Sequence, residues 1–233
     1  MVDKISSDVH AAVAAVKDGA TVMIGGFGGA GQPEELIDAL IEQGARELII
    51  VSNNAGNGDT GLAALLKAGR ARKVICSFPR QADSQVFDGL YRARRIELEL
   101  VPQGTLAERI RAAGAGLGGF FTPTGYGTGL AKGKETREIR GRRYVFEKPI
   151  HADFALIKAE RGDPWGNLVY RKTARNFGPI MAMAAKTTVA SVHEVVPLGA
   201  LDPEAVVTPG IFVQHVVKVS RAAGRAAGFR QQA

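Results

Sequence analysis

A single cysteine, Cys76, stands in 233 residues. No internal disulfide can form, and so little cysteine fits a reducing cytoplasm. Cys76 follows Val74 and Ile75, so it reads as a buried bystander rather than a thiolate. No cysteine pair and no His-x-x-x-His occurs, and no metal site is expected. The four histidines, His10, His151, His193 and His215, lie far apart and outside any motif, as surface or packed rings do. There is no Gly-x-Ser-x-Gly nucleophile elbow. No apolar run approaches ~18 residues, so no membrane span is expected. The start, Met1 to Asp8, carries acids and lacks a signal-peptide core. Aromatic residues make up only 6% and do not interleave with the basic runs. The net charge of +7, much of it in residues 132–148 and 218–230, therefore reads as solvated surface that attracts small anions, not as a nucleic-acid footprint.

Glycine is abundant, and one run of it is informative: Gly25-Gly26-Phe27-Gly28-Gly29-Ala30-Gly31-Gln32-Pro33. An apolar β-like stretch, Thr21-Val22-Met23-Ile24, precedes it, and an amphipathic helical stretch from Glu34 to Gln43 follows. A strand that breaks into glycines and restarts as a helix brings bare backbone N–H groups close to a ligand. Gly26-x-Gly28-x-x-Gly31 also matches a dinucleotide fingerprint. That reading needs an acid at the tip of the next strand, which instead ends in Ser52-Asn53-Asn54-Ala55-Gly56. Glu34 and Glu35 suit the helix dipole but would repel a phosphate bound there.

Short apolar runs alternate with helical periodicity. Strands are expected at 22–26, 48–52, 73–78 and 96–101, with helices from Pro33 and at 61–68, 84–92 and 105–113. This predicts an α/β fold with a mainly parallel open sheet flanked by helices. Pro33 suits a first helical position, and Thr105 with Glu108 spells a capping box. Residues 114–129 are too rich in glycine for a helix and too apolar for a linker, which predicts a long functional loop. Residues 136–140 and 143–147 flank Gly141-Arg142 as a small hairpin. Further strands are expected at 153–159, 168–171, 188–192 and 211–217, with a helix at 178–185. Residues 1–233 read as one domain with a frayed tail from about Arg221.

The chemistry gathers at the predicted C-terminal ends of the strands, where open α/β sheets bind ligands. The glycine loop, Asn53 and Asn54, Ser77-Phe78-Pro79-Arg80-Gln81 and Pro102-Gln103-Gly104-Thr105 all fall there. Amides and free backbone N–H groups are neutral donors that suit an oxyanion formed in acyl transfer, but they attack nothing themselves. The chain reads as half an active site.

Several ordered blocks carry a resemblance. They include the glycine loop, Val51-Ser52-Asn53-Asn54-Ala55-Gly56, Pro102-Gln103-Gly104-Thr105-Leu106-Ala107-Glu108-Arg109-Ile110, Phe121-Thr122-Pro123-Thr124-Gly125-Tyr126-Gly127-Thr128 and Tyr170-Arg171-Lys172-Thr173-Ala174-Arg175-Asn176-Phe177. From about Asp18 to Val217 the chain resembles the α (A) subunits of two-chain 3-oxoacid CoA-transferases that use a glutamate nucleophile. Cys76-Ser77-Phe78-Pro79-Arg80-Gln81-Ala82-Asp83-Ser84 and the block from Asn176 to Lys186 look most like the branch that uses 3-oxoadipate. An acetoacetate-type subunit is the alternative. A nicotinamide-dependent dehydrogenase and a non-catalytic CoA-binding module are more distant ones.

The resemblance implies ping-pong transfer of CoA from succinyl-CoA through a glutamyl-CoA thioester on a β subunit. No glutamate here is followed by Asn or Gly, so the family's nucleophile context is missing, as an α subunit should show. The resemblance further implies that Gly25, Gly26, Phe27, Gly28, Gly29, Ala30 and Gly31 line the CoA site, that Asn53 donates to the oxyanion and that Gln103 sits near the acyl group. Coenzyme A is then a substrate and a transient adduct on the partner, with no tightly bound cofactor, and the assembly is α2β2. Arg80 is a candidate for the distal carboxylate of a dicarboxylic 3-oxo acid, since guanidinium binds carboxylate in a bidentate way.

Overall fold

The computed structural model describes residues 2–220, so the predicted frayed tail lies outside the described residues. A short helix α1 (Val9–Val13), unmarked by periodicity, opens the chain. Asp8 caps it by accepting from the N–H groups of His10 and Ala11. Strand and helix then alternate as β1 (Thr21–Ile24), α2 (Glu34–Gln43), β2 (Leu48–Val51), α3 (Gly61–Lys67), β3 (Ala71–Cys76), α4 (Gln85–Arg92), β4 (Glu97–Leu100) and α5 (Gln103–Gly114). An excursion follows through β5 (Phe120–Thr122), β6 (Thr136–Ile139) and β7 (Arg142–Glu147). The chain returns as β8 (Ala152–Gly162), β9 (Leu168–Val169), α6 (Gly178–Ala184), β10 (Ala185–Val195) and β11 (His215–Lys218).

The main sheet has the order β11-β10-β8-β1-β2-β3-β4, with every neighbouring pair parallel and β9 antiparallel on β8. The predicted mainly parallel sheet is therefore observed. Its first strand is central. From β1 the chain winds one way to β4 and later the other way from β8 to β11, so the winding reverses between β1 and β8. Such a reversal leaves a crevice at the strands' C-terminal ends.

Both faces are covered. Val22 and Ile24 of β1 pack with α1 to α4, through Val13, Leu36, Leu65 and Phe87 among others. Met23 points the other way, into a layer with Leu106 and Ile110 of α5 and Met181 of α6. This two-sided burial explains why β2 reads as an unbroken Leu-Ile-Ile-Val rather than an alternation. Each such fully buried aliphatic chain contributes about 1.5–3 kcal/mol of transfer free energy.

Several local expectations need correction. Thr105 does not cap α5. The helix starts at Gln103 because Pro102, with φ −53° and an extended ψ, hands it directly to the next residue. Thr105 lies inside the first turn, with Oγ1 buried and unpartnered, while Glu108 pairs with Arg111 at 2.7 Å. Residues 114–129 are not one loop. Gly114 is still helical, and a Cβ there would sit 2.5 Å from that of Met183, so only glycine lets α5 press against α6. Residues 120–122 then pair antiparallel with β7. The hairpin turn is Arg140-Gly141, one residue earlier than expected, with both residues left-handed at φ 51° and 73°, the geometry of a type I′ turn. Finally, β11 begins only at His215, residues 210–212 form a 3₁₀ turn, and β9 stops at Val169.

Candidate active site

The glycine loop leaves the C-terminal end of β1, beside the point where the winding reverses between β1 and β8. Gly25 N–H still donates to Leu156 O of β8 at 2.9 Å, and the chain then leaves the sheet. Phe27 and Ala30 exchange two backbone hydrogen bonds of 3.0 Å, which pinches the loop and isolates Gly28 and Gly29 at its tip. Around those two glycines no heavy atom lies within 4 Å of where a Cβ would stand. Gly31 is different: a Cβ there would meet Ala174 O at 2.6 Å, and φ is +77°. Asn176 reinforces that closeness by donating from Nδ2 to Ala30 O at 3.0 Å. Gly31 is thus bare for the fold, whereas Gly28 and Gly29 leave room for a ligand. Pro33 is the cap of α2 rather than its first residue, and Glu34 and Glu35 form the acidic first turn. Glu35 is engaged by Lys158 of β8, with both oxygens at 3.3 Å, which ties the helix across the reversal point.

The tip of β2 is buried and polar. Ser52, Asn53 and Asn54 are each under 5% exposed, so each polar group needs a partner. Ser52 Oγ donates to Ile24 O at 3.0 Å, fixing β2 to β1. Asn54 Oδ1 accepts from Gly56 N–H at 2.9 Å, a local turn, and Gly56 would clash with Ala63 if it carried a Cβ. Asn53 is held by the tip of β3. Its carbonyl accepts from the N–H groups of Ser77 and Phe78, at 3.2 and 3.0 Å, and its Oδ1 accepts from Ser77 Oγ at 2.9 Å. With Oδ1 committed, the amide presents its NH₂ end, a neutral donor, away from Ser77.

The loop after β3 carries the remaining candidates. Phe78 is 60% exposed. Asp83 N–H donates to Asn57 Oδ1 at 2.9 Å and Gly58 N–H to Asp83 O at 2.7 Å, so this loop is pinned to the one after β2. Arg80 is exposed and donates from Nε to Asp88 Oδ1 of α4 at 2.8 Å. That contact uses the inner nitrogen and leaves the guanidinium fork to other partners. Gln103 is the exposed first residue of α5 on the same sheet edge. The structure joins Asn53 to Ser77 directly, and it sets the glycine loop, Arg80 and Gln103 on separate strand ends of one edge.

The residues that position this edge were only partly legible. Ser77 stood among the strand-end residues, but its role depends on a contact across 24 residues of chain. Asn176 stood within a block that carries the resemblance, but the sequence marked out no positioning role for it or for Lys158. Other reactive groups lie elsewhere. Cys76 is fully buried, and burial pushes its thiol up to about 12 against a small opposing pull from the Phe78 backbone N–H. Ser6 and His215 form a hydroxyl–imidazole contact of 3.2 Å on the flank occupied by β11. Among the described residues no helix is long and apolar enough to cross a membrane.

Comparison with known proteins agrees with this geometry. The family model described as coenzyme A transferase matches residues 7–219. The chain is 70% identical to the A-type subunit of the 3-oxoadipate CoA-transferase of Pseudomonas putida, over 96% of both chains. It is 67% identical to the protein of the same name from Acinetobacter baylyi, over 97% of this chain and 100% of that one. Identity to the A-type subunit of the succinyl-CoA:3-ketoacid coenzyme A transferase of Helicobacter pylori is 48%, over 93% and 92%. Among solved structures, glutaconate coenzyme A-transferase of Acidaminococcus fermentans shares the fold, with a TM-score of 0.82 at 21% identity, over 93% of this chain and 76% of that one. An acyl-CoA transferase of Escherichia coli O157:H7, solved as a thioester complex with CoA, shares it with a TM-score of 0.81 at 24% identity. This chain covers 49% of that enzyme's chain and 95% of its own, so it corresponds to about half of the larger protein. A parallel sheet that reverses at a glycine loop, a buried asparagine donor at its edge and a family match over nearly its whole length together place the chain in the coenzyme A transferase family.

Proposed function

We propose that this chain is the α subunit of a two-chain enzyme that moves coenzyme A from succinyl-CoA to 3-oxoadipate. The observation that carries the reading is the near-full-length likeness, 70% and 67%, to the A-type subunits of two proteins named 3-oxoadipate CoA-transferase, against 48% to one named for 3-ketoacids. The neutral donors on the sheet edge support it, because they suit an oxyanion and leave the nucleophile to a partner.

In this reading a glutamate carboxylate on the β partner attacks the thioester carbonyl of succinyl-CoA. The carbon–sulfur bond breaks, leaving a mixed anhydride and CoA thiolate. The thiolate attacks the glutamyl carbonyl, forming a glutamyl-CoA thioester and releasing succinate. The carboxylate of 3-oxoadipate then takes the glutamyl group, and the returning thiolate takes the 3-oxoacyl group, which frees the glutamate. Each half passes through tetrahedral oxyanions, and Asn53 donates its amide N–H to them. Gln103 stands near the acyl group. The loop 25–31 lines the CoA site, with Gly28 and Gly29 as its close-approach point and Phe27, 45% exposed, beside them. Arg80, already aligned by Asp88, offers its fork to the distal carboxylate. The chain works as one domain in an α2β2 assembly in the cytoplasm, with CoA as substrate and no tightly bound cofactor.

The test is to purify the chain with its β partner, add succinyl-CoA and weigh both chains by mass spectrometry. A CoA adduct on a partner glutamate, together with kcat/KM for 3-oxoadipate well above that for acetoacetate, supports the reading. An adduct on this chain would overturn the division of labour. A preference for acetoacetate would overturn the substrate.

A further inference from the structure

A second cleft, of about 540 Å³, opens at the opposite end of the sheet. Its lining comes from the start of β3 and the turn from α4 into β4, so it faces away from the edge that holds Asn53. Four arginines are among its lining residues: Arg72, Arg92, Arg94 and Arg95. The carboxylate among its lining residues is Glu97, and Lys73 already holds that group at 3.0 Å. Arg92 has a loose contact with Asp88, at 3.9 Å. Arg72, Arg94 and Arg95 have no carboxylate partner among the described residues.

Packing does not account for this grouping. A cation in the last turn of α4 suits the negative end of the helix dipole, which explains Arg92. It does not explain Arg72, which comes from a strand. Arg94 sits at φ 55°, in a helix-ending turn closed by Arg94 N–H to Tyr91 O and Arg95 N–H to Leu90 O. Glycine is the easy residue at such a turn, and an arginine there is strained. Like charges held close repel, and an anion relieves that repulsion. Tyr91 adds a flat wall. One face of its ring is stacked on Phe87, with centroids 5.7 Å apart and planes at 16°, yet the residue remains 46% exposed.

We propose that this cleft is a binding site for a nucleoside polyphosphate, with the phosphates on Arg72, Arg94 and Arg95 and the base against the exposed face of Tyr91. A cleft of this size is too large for a lone phosphate and falls within the usual range for small-molecule sites. The ligand is separate from the CoA of the reaction, because the two sites lie at opposite ends of the strands.

The test is calorimetric titration of the two-chain complex, at low salt and saturating CoA, using ATP and then tripolyphosphate as probes. Saturable ATP binding that weakens with added salt is expected. The double variant Arg94→Gln/Arg95→Gln should weaken both probes by about tenfold or more. The exposed control Arg140→Gln should change neither. Tyr91→Ala should weaken ATP and spare tripolyphosphate. Displacement of ATP by CoA, or indifference to the double variant, would overturn the site. Equal effects of Tyr91→Ala on both probes would overturn the nucleoside assignment. Binding to the isolated chain that is lost in the complex would place the β partner over the cleft and overturn it as a ligand site.

Discussion

Ser77 donates its hydroxyl to Oδ1 of Asn53 across 2.9 Å, joining the ends of two neighbouring strands. The bond decides which way the buried amide faces. Asn53→Ala should lower kcat by ~10²-fold or more with the fold intact, the usual cost of one lost oxyanion donor. Ser77→Ala removes only the alignment, so a smaller loss of about tenfold is expected. Steady-state rates on the two-chain enzyme measure both, and near-normal turnover of Asn53→Ala would take that residue out of the site.

The glycine loop separates two kinds of glycine. Gly31→Ala would drive a methyl to 2.6 Å from Ala174 O at a left-handed φ, so it should cost ~2 kcal/mol or more, a fall of roughly 5 °C in Tm. Gly29→Ala meets open space at an ordinary φ and should leave Tm within about 1 °C. If CoA passes over the loop tip, Gly29→Ala should nevertheless raise KM for succinyl-CoA. Unchanged KM would move the ligand off that tip.

Arg80 tests substrate choice. Arg80→Ala should weaken use of 3-oxoadipate by about tenfold or more and spare acetoacetate, which has no distal carboxylate. Equal losses on the two acids would leave Arg80 as no more than the surface partner of Asp88.

A charged link fastens the sheet to α5. Lys73 Nζ and Arg109 Nη1 both lie 2.9 Å from Glu99. Burial works against the Glu99 charge, but the two cations outweigh it and hold the carboxyl below its ordinary value of 4.5. Burial likewise works against Lys73, and its carboxylates lift it above 10.5 all the same. The contribution of Glu99 is therefore complete above about pH 4.5 and drains away as pH falls through its folded value. That of Lys73 is complete below 10.5 and is lost as pH rises through its folded value. Glu99→Gln should lower Tm at pH 7 by about 3 °C, given a solvent-discounted value near 1 kcal/mol. Thermal melts of the two proteins should converge as pH falls through the folded value of Glu99, which lies below 4.5. A gap that does not narrow as pH falls from 7 would show that the effect is not ionic.

Fold class was legible because β2, α2 and their neighbours carry their burial in local patterns: an apolar tetrad for a strand covered on both faces, and a 3.6-residue stripe for a helix. What escaped is what distant chain decides. The strand β5 is three residues among glycines and exists because β7 pairs with it. The polar ends of β10, Lys186 and Glu194, are extended because β8 runs beside them in register. Helix α1, five residues long, is too short to show a period. At the site, the residue types at the strand ends were readable, whereas the Asn53–Ser77 and Arg80–Asp88 links were not, since each needs two loops to meet.

The strand that comes first in the chain is the middle of the finished sheet, and this has a consequence for synthesis. Thr21 and Asp153, bonded at 3.0 Å on adjoining strands, are 132 residues apart. A ribosome that has released β1 to β4 has made a sheet in which β1 is a raw edge, with N–H and C=O groups awaiting a neighbour not yet translated. Closing that edge is a long-range, slow step. A fragment truncated before β8 should accordingly precipitate or pair with its own copies, and so should one that stops after β8, whose far edge waits for β10; one extended through β11 should not. The same reversal that divides the sheet keeps the growing chain sticky until the strands on its far side are translated.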